Sequence, residues 1–64
     1  MNRIKSIREE IKMTQTELAQ LADISQPYLH DLENERRGAR PETLERIAAA
    51  LGVTVEELME KEAG

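Results

Sequence analysis

Apolar residues recur along this chain at three- and four-residue steps, and nowhere do they alternate with polar ones over a strand's length. The pattern predicts five helices, at about 3–12, 15–22, 26–34, 41–51 and 55–61, in one all-α domain covering residues 1–64. The first helix follows Asn2 as its N-cap and sets Ile4, Ile7 and Ile11 on one face. The second opens on a capping box, Thr14 with Glu17, stapled by Met13 and Leu18. The third repeats the plan with Ser25 as cap, Ile24 and Leu29 as staple, and Pro27 in the first turn, where its missing N–H costs little. Helix 4 opens at Pro41, presents Leu44, Ile47, Ala48 and Leu51, and stops at Gly52. Helix 5 has Thr54 and Glu57 as a capping box, with Val53 and Leu58 as staple.

Between helices 2 and 3 lies only "ADIS", Ala22 to Ser25, which leaves room for a tight turn but not for an antiparallel hairpin. Two short helices joined this way meet steeply, as in a helix-turn-helix. Asp23 would supply the positive φ, and small Ala19 would stand where the helices cross. An ordinary helical-bundle corner is the plainer alternative, and these features favour the helix-turn-helix over it. The longest irregular stretch is "ERRGAR", Glu35 to Arg40.

Composition narrows the field. With 64 residues and no cysteine, the core is small and neither disulfides nor thiolate zinc can support it. The N-terminus alternates charge with isoleucine, so neither a signal peptide nor a membrane span is expected, and a cytoplasmic protein is. A net charge of −4 looks wrong for a polyanion binder, but its distribution changes the picture. Residues 1–40 carry seven basic and seven acidic side chains, while residues 41–64 carry Arg46 and Lys61 against six glutamates. A nucleic acid would therefore bind the first part.

On a helical wheel, Leu29 and Leu32 mark the inward side of helix 3, with Tyr28 and Glu33 flanking it. Pro27, His30, Asp31 and Asn34 point away, and Gln26 lies at the edge. In a major groove, Gln26 would pair with adenine, Asp31 would accept from cytosine and Pro27 would touch a thymine methyl. The plainer reading is a solvated polar face, and composition alone favours it.

The order of "TQ.ELA", an "IS" cap, "YL..LEN", "P.TL..IA.ALGV" and "EEL" resembles the phage-repressor-like, or Xre-type, helix-turn-helix family of bacterial and phage DNA-binding proteins. The resemblance runs from Ile4 to Met59. It implies a compact five-helix domain acting as a homodimer on a two-fold symmetric double-stranded operator, as a transcriptional regulator and most often a repressor. It gives Gln15 a phosphate or base-edge contact, and places Ser25, Gln26, Pro27, Tyr28 and Asp31 on the DNA, with His30 and Asn34 bordering phosphates. It also pairs Arg8 with Glu33 as an internal salt bridge. The family's usual glycines in the turn and after "EN" are Asp23 and Glu35 here, and the loop to Pro41 is longer than the common form, with Gly38 inside it.

Two readings of function follow. Following a recognition helix, Arg36, Arg37 and, less directly, Arg40 would meet phosphate, and Tyr28 would either cover the core edge or reach a phosphate too. In the other reading the acidic C-terminal helices dock a protein partner, an arrangement that antitoxins combine with operator binding. For a dimer, Val55 and Met59 offer a second apolar pair one turn apart. No glycine-rich phosphate loop, activated nucleophile or acid–base pair can be read, so neither an enzyme nor a cofactor is expected. His30 is the only histidine and has no second ligand at metal-site spacing, so no metal site is expected either.

Overall fold

In the computed structural model, which describes residues 2–59, the chain forms α1 (Ile4–Glu10), α2 (Gln15–Leu21), α3 (Gln26–Glu33), α4 (Pro41–Leu51) and α5 (Val55–Met59), with no strand among the described residues. The side chains of Ile4, Leu18, Leu29, Leu32, Ile47 and Leu58 are fully buried, so every helix contributes to one core. α2 packs on both α3 and α4, with Ala19 and Ala22 buried; a larger side chain at either position would push apart the helices that a helix-turn-helix brings together. No helix among the described residues is long and apolar enough to cross a membrane.

Three connections share one design. α1, α2 and α4 each end with the backbone N–H of a positive-φ residue bonded three residues back, and the next N–H bonded five residues back. This is the Schellman arrangement, and the positive-φ residues are Lys12 (φ 61°), Asp23 (φ 56°) and Gly52 (φ 74°). Each is followed by an apolar residue (Met13, Ile24, Val53) that packs on the core, and then by Thr14, Ser25 or Thr54 opening the next helix. "KMT", "DIS" and "GVT" are therefore the same corner written three times. α3 closes in the same way on Glu35 (φ 58°), but "ERRGAR" then departs on its longer path.

Only Gly52 adopts this backbone without steric cost; a side chain there raises the energy by roughly 1–2 kcal/mol. Exposed Lys12 carries that cost, so Lys12→Gly should stabilise the domain by about 0.5–1 kcal/mol after its extra freedom in the unfolded chain is subtracted. A rise of a few degrees in the thermal midpoint is expected. A fall would mean that Lys12 makes a favourable interaction outweighing its backbone cost.

The caps depart from expectation at both ends of the domain. Arg3, not Asn2, stands at the N-cap of α1 and gives no side-chain cap bond. Asn2 acts from one residue earlier: its Oδ1 accepts from Ile4 N–H at 3.2 Å, while its Nδ2 donates to the Leu32 carbonyl at 2.9 Å. Its side chain is thereby spent partly on tying the chain's start to α3. The first helix also ends at Glu10 rather than 12, which turns Ile11 off the apolar stripe and leaves it 48% exposed. The Thr14–Glu17 box is complete, and the hydrogen bonds from the Thr14 backbone and hydroxyl hold the Glu17 carboxyl below its ordinary range. At Thr54 only half of a box forms. The Thr54 hydroxyl accepts from Glu57 N–H at 3.1 Å, but the Glu57 carboxylate takes that same hydroxyl's proton rather than a backbone N–H. The last two residues expected in helix 5, 60 and 61, lie outside the described residues.

Candidate nucleic-acid interface

A buried ion pair anchors the site. Arg8 Nε donates to Glu33 Oε2 at 2.8 Å and Arg8 Nη2 to Glu33 Oε1 at 3.0 Å, with the two side chains only 10% and 2% exposed. Arg8 Nη1 turns to the Met13 carbonyl at 3.0 Å, so the guanidinium ties α1, the first corner and the end of α3 together. Hydrogen bonding to Glu33 holds the Arg8 pKa above its ordinary value, against the opposing effect of burial. No buried side-chain polar atom lacks a partner among the described residues.

From this pair a chain of hydrogen bonds runs outward. Gln15 Nε2 donates to Glu33 Oε1 at 3.1 Å, and Gln26 Nε2 donates to Gln15 Oε1 at 3.0 Å. Gln15 is half-buried and Gln26 exposed, so the relay leads from the core to the surface at the start of α3. It leaves Gln26 Oε1 and the second amide proton for an outside partner. Local sequence does not predict the contact between the two glutamines, although a trace of it stands in the chain. Each is the first helical residue after its cap, in "TQ" and "SQ", and the steep corner brings those two positions together.

The remaining α3 residues fall as follows. Ser25 uses its hydroxyl to accept from Tyr28 N–H at 3.2 Å, capping the helix. Pro27 and His30 are exposed, while Tyr28 and Asp31 are half-buried. Asn34 folds back on its own helix, with Nδ2 donating to the His30 carbonyl at 2.8 Å and lying 3.4 Å from His30 Nε2. Arg36 and Arg40 are exposed beside the helix end, Arg40 at the N-cap position of α4 with no side-chain cap bond. Arg37 behaves differently. Its guanidinium turns back to α3, with Nε 3.6 Å from Asp31 Oδ2 and Cζ 5.9 Å from the centre of the Tyr28 ring. Among the described residues no group of His, Cys, Asp and Glu is placed to hold a metal ion.

At α5, Val55 and Met59 do not form a free pair. Val55 is half-buried against the core, whereas Met59 is 47% exposed. Met59 borders a groove of about 250 Å³ with Ile4, Leu32 and Leu44.

A capped helix joined to its neighbour by a three-residue corner, carrying outward amides and flanked by arginines, defines a helix-turn-helix domain. The chain belongs to the HTH_3 helix-turn-helix family, whose model matches residues 4–58. It is similar to the immunity repressor protein of Bacillus phage phi105, at 45% identity over 60 residues, covering 94% of this chain and 42% of that one. It is also similar to the HTH-type transcriptional regulator DdrOP3 of Deinococcus deserti, at 40% identity over 58 residues, covering 91% and 45%. The chain thus spans less than half the length of these two relatives. Among solved structures it is similar to SinR, the master regulator for biofilm formation, in complex with DNA, with a TM-score of 0.84 and 32% identity over 91% of this chain and 94% of that one. Family and fold are those of DNA-binding transcriptional regulators, not of enzymes.

Proposed function

We propose that this chain binds double-stranded DNA sequence-specifically as a transcriptional regulator, acting as a repressor. The observation that carries the reading is the relay Arg8–Glu33–Gln15–Gln26, which fixes a glutamine amide outward at the start of α3. With α3 in the major groove and α2 across the backbone, Gln26 offers adenine an acceptor and a donor at the spacing of N6 and N7. Pro27 lies against the neighbouring base step, Ser25, Tyr28, His30 and Asn34 meet the sugar–phosphate edge, and Gln15 acts through Gln26. Arg36 and Arg40 contact phosphates, which give affinity without sequence information. Repression is supported by the kind of protein that the phage relative is named as.

The test is selection of bound sequences from a random duplex library. Enrichment of one motif is the expected result; no enrichment would transfer the weight to a protein-docking role for the acidic C-terminal helices. On a selected duplex, Arg36→Ala should weaken specific and non-specific binding alike. It should flatten the dependence of log K on log salt by about 0.9 for the lost phosphate contact. An unchanged slope would take Arg36 out of the interface.

The operator is two-fold symmetric and the protein binds it as a dimer through α5. Met59 supplies the exposed apolar contact, and Val55 supports it from the core side. So small a patch gives a dimer that forms chiefly on DNA. In sedimentation with a selected palindromic duplex, the parent should bind two copies and Met59→Glu one. Equal stoichiometry would remove α5 from the dimer contact.

A further inference from the structure

Arg37, in the loop after α3, and Asp31, on α3, form a solvent-facing ion pair on this face, in contrast to the buried Arg8–Glu33 pair. We infer that Arg37 is a base-reading residue, directed at guanine, and that Asp31 positions it instead of reading a base itself. The inference rests on the proposed binding of duplex DNA through α3 and adds a second specificity position to it.

An acid on a surface that enters a groove is repelled by the phosphates on both sides unless a cation accompanies it. Arg37 does so from the loop. Its Nε edge faces Asp31, at ion-pair distance rather than hydrogen-bond distance, and its carbon centre stands 5.9 Å from the Tyr28 ring centre. An ion pair this exposed adds little to stability; what it contributes is direction. With the Nε edge turned to the carboxylate and an aromatic ring beside the cation, the two terminal nitrogens remain as a planar fork. That fork matches O6 and N7 of guanine, the acceptor pair an arginine recognises with two parallel hydrogen bonds. With Oδ2 turned to Arg37, Asp31 serves the arginine before any base. Arg36 and Arg40, exposed without such a holder, have no comparable orientation.

The same library selection, run in parallel with parent, Arg37→Lys, Arg37→Ala and Asp31→Ala, tests this. Lysine keeps the charge for any phosphate contact and loses the fork. Arg37→Lys should abolish the preference for guanine at one position of each half-site, a loss of about tenfold or more in discrimination there. The position that depends on Gln26 should remain. Asp31→Ala should weaken the same guanine position. The inference is overturned if Arg37→Lys selects the parent motif unchanged, or if Asp31→Ala removes a cytosine preference at a position of its own. It is equally overturned if Arg37→Ala leaves the motif intact and only flattens the salt dependence, the mark of a phosphate contact. If the parent enriches no motif at all, the proposed DNA binding falls and this inference with it; an enriched parent motif that ignores Arg37 removes only this inference.

Discussion

Glu33→Gln should lower the stability of the domain by about 3–5 kcal/mol, the range found when one partner of a buried ion pair is removed. The substitution keeps the shape but strands the Arg8 guanidinium, which is 90% covered and otherwise donates to the Met13 carbonyl. At roughly 0.05–0.15 kcal/mol per residue, a domain of this size has a total stability of about 3–10 kcal/mol, so the variant stands near unfolding at room temperature. A thermal melt followed by circular dichroism should show a fall of at least about 12 °C. Replacing both partners by apolar residues, Arg8→Met with Glu33→Leu, should recover much of the loss, since no buried charge then remains. Because the folded pKa of Arg8 is raised, its share of the stabilisation is fully present below its unfolded pKa and is lost only at extreme alkaline pH. The deficit of Glu33→Gln should accordingly be the same at pH 6 and pH 9. A shift of only a degree or two would show that water already solvates the pair.

Helix starts were legible in the sequence wherever the signal is local, within one turn of the helix end. Thr14, Ser25 and Pro41 open helices in the structure, and Gly52 ends one, because each meets a local backbone need within a turn of itself. Asn2 was misread because its amide has a partner 30 residues away at Leu32, which no local pattern shows. Ile11 was misread for a related reason. The Schellman turn at Lys12 stops α1 early, and nothing in a lysine's chemistry announces a positive φ. The first residues of α2 and α3 were legible one by one, as amides after caps. Their contact depends on the angle at which two helices meet, which appears only in three dimensions. Arg37 illustrates the same limit from the surface. A loop arginine reads as a free cation until its loop is seen to carry it back to Asp31 and Tyr28.

The second large effect concerns the relay on DNA. Gln26→Ala should cost about 1–3 kcal/mol at a selected duplex, the value of one bidentate base contact. Gln15→Ala touches no base in this arrangement, yet it releases both Gln26 and one acceptance by Glu33. A free glutamine must be ordered when it binds, at about 0.5–1.5 kcal/mol for a long side chain, so Gln15→Ala should weaken specific binding by a similar amount. If Gln15 acts through Gln26, the two losses overlap. Once Gln26 is alanine, removing Gln15 has little left to disturb, and the double variant should cost less than the sum of the singles by about 0.5 kcal/mol or more. Glu33 keeps both bonds from Arg8 in all three variants, so their melting temperatures should stay close to the parent's and a loss of fold is not mistaken for a loss of binding. Neither glutamine carries charge, so non-specific affinity and its salt slope should change little across the cycle. Fluorescence anisotropy on the selected duplex and on a scrambled one measures all four corners. Strict additivity would mean that Gln15 contacts DNA independently, and that the hydrogen bond between the two amides plays no part in reading it.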